Sequence, residues 1–133
     1  MNTKPTNSQR VFELYKVLNQ WMTLYEQGRG IDEILLENQI HAVAIYGYGN
    51  MAIHLYNALI SSEITVCGII DKRASENHEF VIKIPVVDEI IPSWEIDAII
   101  VTEPLASDVL LREIEDRNGI RVIRLSDVVF DCV

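Results

Sequence analysis

Apolar residues recur along this chain at two spacings, and the changes between them mark its elements. From Ser8 to Gln27 they return every three or four positions, the period of an amphipathic helix. Val11, Leu14, Tyr15, Leu18, Trp21, Met22 and Tyr25 form the apolar face, and Glu13, Lys16, Asn19, Gln20 and Glu26 the polar one. Phe12, Val17 and Leu24 widen that stripe beyond what one packing surface needs. Ser8 is the expected N-cap, and Gly28-Arg29-Gly30 stops the helix. A short second helix is expected over residues 31–38, turning Ile34, Leu35 and Leu36 inward.

Short continuous apolar runs follow, each bounded by turn residues, and these read as buried strands. They are Ala42 to Tyr46, Ile64 to Ile70, Asp97 to Thr102 and Ile120 to Leu125. A further extended stretch, Phe80 to Val87, contains Pro85 and so belongs at an edge or a break. Between the first two runs, Met51, Leu55, Tyr56, Leu59 and Ile60 share a helical face. Between the last two, Leu105 to Arg117 is amphipathic, with Leu105, Val109, Leu110 and Ile114 inward. Residues 72–79 are polar and lack a helical period, so the crossover helix there is expected to be missing or vestigial. Val87 to Ile91 reads as one helical turn, Trp94 as a packing residue, and Val128, Val129 and Phe130 as a last turn folded onto the sheet.

Strands alternating with crossovers predict an α/β fold: a three-layer, Rossmann-like parallel sheet of about five strands in the order 3-2-1-4-5. Residues 39–133 form this unit, and residues 1–38 an amino-terminal helical extension. The excess apolar surface of the first helix points to a homodimer through that helix.

The candidate chemistry lies in one stretch, where Gly47-Tyr48-Gly49-Asn50-Met51-Ala52 joins the first strand to its helix and the second strand ends on Asp71. Strand, glycine turn, helix, strand and acid is the context in which a G-x-G-x-x-A pattern points to a nucleotide-type ligand. Gly47 allows the tight turn, Gly49 lets a diphosphate approach the backbone, and Ala52 lets helix and strand lie close. The amides around Asn50 and Met51 have no partners within the helix and sit at the positive end of its dipole. Asp71, about 20 residues beyond Gly49, is placed for a ribose diol. Ligands of such sheets bind outside the carboxyl ends of the strands at the switch point, which adds Lys72, Arg73, Thr102 and Glu103 to the candidate site. Asp71 favours NAD over NADP, whereas Lys72 and Arg73 are suited to a 2′-phosphate, to the phosphates of CoA or to a uracil carbonyl.

Composition narrows the field. Twenty acidic against 11 basic residues give a net charge of −9, with no basic stripe, which argues against nucleic acid and anionic membranes. It also opposes an anionic nucleotide, but surface repulsion is screened over about 8 Å at physiological salt. No apolar run nears the roughly 20 residues of a membrane span, and the first ten residues lack the apolar core of a signal peptide. Cys67, in a strand, and Cys132, in the tail, fit a reducing, cytoplasmic setting. His41, His54 and His78 lack metal-ligand spacing, so no metal site is expected. No catalytic set is evident: Glu103 is the one candidate base, and a solvated strand-end carboxylate is the commoner reading.

The segments AIYGYGNMAIHLYNAL, GIIDKRA, DAIIVT and VIRLSDVVF resemble a family of small Rossmann-type domains from bacterial surface-polysaccharide and sugar-nucleotide biosynthesis. The pattern is similar to the amino-terminal domain of PglD-type sugar acetyltransferases and to the CoA-binding-like domain preceding capsule sugar epimerases, over about residues 40–130. The resemblance implies that Gly47, Tyr48, Gly49, Asn50 and Asp71 hold a nucleotide-sugar. PglD-type loops often carry a histidine directly after the glycines, where this chain has Asn50-Met51. The acetyltransferase unit of that family has no counterpart in these residues, so the expected role is accessory binding of a nucleotide or nucleotide-sugar. An NAD-dependent or sugar-modifying enzyme with a site shared across a dimer is one alternative. A ligand-free scaffold for a protein partner is another.

Overall fold

The computed structural model describes residues 6–73 and 84–132. Five parallel strands, β1 (Ala42–Tyr46), β2 (Thr65–Ile70), β3 (Val86–Val87), β4 (Ala98–Val101) and β5 (Arg121–Arg124), form one sheet in the order β3-β2-β1-β4-β5. The helices are α1 (Asn7–Glu26), α2 (Ile31–Glu37), α3 (Asn50–Leu59), α4 (Asp108–Asn118) and α5 (Leu125–Asp131). The chain is therefore an α/β protein with the expected strand order and an amino-terminal helix.

The sheet is built outward from β1 in both directions. The step from β1 to β2 runs one way along it and the step from β4 to β5 the other, so crossovers of the usual right hand fall on opposite faces. The core divides accordingly. Val43, Ile45, Ala98 and Ile100 pack with α1, α2, α3 and α5, whereas Ile99 and Val101 pack with Ile114 of α4. All four residues of β4 are buried, as expected of a strand covered on both sides. Pairing of β1 with β2 skips Cys67, because Val43 faces Val66 and Ala44 faces Gly68. The Trp94 ring lies over Gly68, where a Cβ would overlap it, so Trp94 fills space against β2.

Several local expectations change. Helix α1 is capped by Thr6 rather than Ser8: the Thr6 side chain accepts from the Gln9 amide, and Gln9 accepts from the Thr6 amide. Its packed face is the narrow stripe Leu14, Val17, Trp21 and Leu24, of which Val17 and Leu24 are buried. Val11, Tyr15, Leu18, Met22 and Tyr25 face outward. Helix α4 starts three residues later than its pattern suggests, at a Ser107 cap that accepts from the Leu110 amide. Val109 is consequently exposed while Ile114 remains buried. Val87 to Ile91 is not helical; after Val87 the chain bends without repeating. Phe130 is half exposed, and Leu125, Val128 and Val129 carry α5 into the core. The polar stretch after Asp71 and most of the Phe80–Val87 segment lie outside the described residues.

Among the described residues no helix is long and apolar enough to cross a membrane.

Candidate functional site

The carboxyl ends of β1, β2 and β4 meet the start of α1 around a cavity of about 520 Å³, within the usual range of small-ligand pockets. Gly47, Tyr48, Gly49, Asn50, Met51, Asp71, Arg73, Thr102 and Glu103 line it, joined by Arg10 and Leu14 of α1. Nine of the ten residues expected from the sequence thus converge. Lys72 does not join them. It lines a separate hollow with Tyr46, Asp88 and residues of α4.

The end of β1 and the start of the glycine turn are held by the neighbouring strands. The Gly47 amide donates to the Ile70 carbonyl at 2.7 Å. Thr102 donates its amide to the Tyr46 carbonyl at 3.2 Å and its hydroxyl to the same oxygen at 3.1 Å. Gly47 has φ +98°, a conformation that excludes most side chains, and a Cβ there would lie 3.1 Å from Thr102 Oγ1. Thr102, which is buried, is accordingly part of the support beneath the loop.

Gly49 differs. Its φ of −154° is ordinary extended backbone, and a Cβ would meet nothing within 4 Å. Neither backbone strain nor packing against this chain requires glycine at that position. It is the N-cap of α3, with no side-chain cap. Among the described residues, the Gly49, Asn50 and Met51 amides have no hydrogen-bond acceptor.

Asp71 points at the loop. Its Oδ2 accepts from the Tyr48 amide at 2.8 Å, and its Oδ1 accepts from the Arg73 amide at 2.8 Å. The Asp71 amide donates to Val87 at 2.8 Å, which fixes the backbone beneath. Each carboxylate oxygen keeps acceptor capacity for a further donor.

Arg10 is the residue that sequence reasoning missed. It reaches from α1 to Glu103, with Nε 2.9 Å and a terminal nitrogen 2.8 Å from Oε2. The pair is 93 positions apart in sequence and has no local signature. It commits the candidate base to a guanidinium, and it places a cation in the cavity beside the glycine loop.

No family model matches the chain, and no curated protein does. Among solved structures, that of unliganded arylmalonate decarboxylase is similar, with 14% sequence identity and a TM-score of 0.45. The match covers 75% of this chain and 48% of the other, so the chain spans about half of that protein's length. Among the described residues, no cluster of three or more histidine, cysteine, aspartate or glutamate side chains is arranged to hold a metal ion.

Proposed function

We propose that this chain binds a nucleotide-type ligand, with a nucleotide-sugar as the first candidate and NAD as the second, and serves as an accessory binding domain. The observation that carries the reading is the pairing of Asp71 with the glycine loop. A carboxylate anchored to the Tyr48 amide stands beside three helix-mouth amides that have no acceptor among the described residues. The two features suit the two ends of one ligand fragment: a ribose diol donates to Asp71 while a diphosphate accepts from the amides. Gly49 supports it further, because glycine there leaves open space that a Cβ would occupy.

The donor set fits such a group. Asp71 would take the ribose hydroxyls, the Gly49 to Met51 amides the phosphates, and Arg73 and Arg10 would lie within the same cavity. CoA remains a third candidate through those two arginines. The preference for a sugar nucleotide, and for bacterial polysaccharide synthesis as the setting, rests on the resemblance carried by AIYGYGNMAIHLYNAL and GIIDKRA. An accessory role is favoured over catalysis because Glu103 is held by Arg10.

The test is a thermal-shift panel of UDP-sugars, NAD(H), NADP(H) and CoA. A ligand at 100 times its dissociation constant adds about 2.7 kcal/mol of apparent stability. A shift with one of them, reduced in Asp71→Ala, is the expected result. No shift with any would overturn the reading in favour of a scaffold that binds protein.

A further inference from the structure

We propose that the outward face of α1 is the seam of a homodimer, in which α1 packs against α1 of a second copy. This inference does not depend on a ligand. Val11, Tyr15, Leu18, Met22 and Tyr25 are spaced 4, 3, 4 and 3 residues apart, the spacing of the a and d positions of a two-helix seam. They are 39% to 71% exposed, and Phe12 beside them is 58% exposed. The neighbouring stripe of the helix is the one that packs on its own core, through Leu14, Val17, Trp21 and Leu24. One helix therefore carries two apolar faces, and the chain itself uses one.

Three observations favour a second copy as the occupant. A seam of this spacing is complementary to another of the same spacing, and a twofold dimer brings the same patch together. Charge is also permissive: none of the five seam positions carries a charge, whereas the whole chain carries −9. Two copies thus meet on a neutral strip of an acidic molecule. Finally, the surface is large enough. An aromatic side chain covers roughly 150–250 Å² when buried, and Phe12, Tyr15 and Tyr25 are each more than half exposed. With Val11, Leu18 and Met22 the stripe approaches the about 800 Å² per partner of a standard interface. The groove beside it, lined by Leu18, Trp21, Met22, Tyr25 and His54, offers a hole for side chains of the facing helix.

Sedimentation velocity of the pure chain tests the proposal. At roughly 100 µM, where a dimer of micromolar dissociation constant is almost fully formed, the expected species is a dimer. Leu18→Asp and Met22→Lys should each give a monomer with unchanged far-UV circular dichroism, because neither side chain belongs to the packed face. A monomeric parent chain overturns the proposal and leaves the seam to a helix of another protein. A dimer that survives both substitutions overturns it as well, by placing the interface elsewhere.

Discussion

The Asp71 carboxylate accepts a hydrogen bond from the Tyr48 amide at 2.8 Å, so the end of β2 is tied to the turn that follows β1. The side chain proposed to read a ribose is thus also part of what holds the loop. Asp71→Ala should lower affinity by about 1.5–3 kcal/mol, the usual worth of a hydrogen bond to a charged group. It should also lower stability by about 1–3 kcal/mol, because the Tyr48 and Arg73 amides lose their acceptor. Calorimetric titration and urea denaturation of the same variant separate the two effects. Unchanged affinity for a ligand that shifts the parent chain would remove the ribose assignment.

The two glycines of the turn should respond in opposite ways. Gly47→Ala forces a side chain into φ +98° and within 3.1 Å of Thr102 Oγ1, and should cost about 1–3 kcal/mol of stability. At Gly49 a Cβ meets no atom within 4 Å, so Gly49→Val should cost no more than the roughly 1 kcal/mol of a poorer N-cap while ligand binding is lost. Normal binding by a folded Gly49→Val chain would count against the diphosphate cradle.

Trp94 and Gly68 provide a test of packing away from the site. Gly68→Ala places a methyl group against the indole ring and near the Pro85 carbonyl. Such overpacking typically costs about 1–3 kcal/mol. Chemical denaturation followed by tryptophan fluorescence should show the loss, and pairing it with Trp94→Leu should recover part of it.

Cys67 has a pH signature. Burial pushes its thiol pKa upward, because the thiolate is the poorly solvated form. At pH 8 the folded chain should therefore hold less thiolate at this position than an ordinary cysteine, and alkylate more slowly. The rate should rise with pH beyond the point where the unfolded chain has levelled off. Mass-spectrometric mapping of iodoacetamide adducts at Cys67, folded against urea-unfolded, measures this directly.

Local signals reveal much of this molecule. The strand order follows from alternating runs and crossovers. Nine residues of the cavity follow from a glycine turn, an acid at the expected spacing and the rim of strand ends at the switch point. The start of α1 was equally legible: Thr6 and Gln9 have capping-box spacing, a stronger signal than the lone Ser8. Other features carry no local mark. Periodicity shows that α1 has apolar stripes, but both stripes have helical spacing, and only the partners decide that Val17 is inside and Tyr15 outside. Arg10 could not be placed beside the glycine loop, because a contact with Glu103 across the fold leaves no trace near either residue. Lys72 and Arg73 are adjacent in sequence, yet they line different hollows.

Helix α1 contributes Arg10 and Leu14 to the cavity while Val17 and Leu24 join the core. One side of the recess is therefore supplied by a segment outside the minimal strand-and-glycine unit. Under the proposed function, exchanging the few α1 residues at that rim would re-tune what the recess accepts without disturbing the sheet, so selectivity could drift independently of the scaffold beneath it.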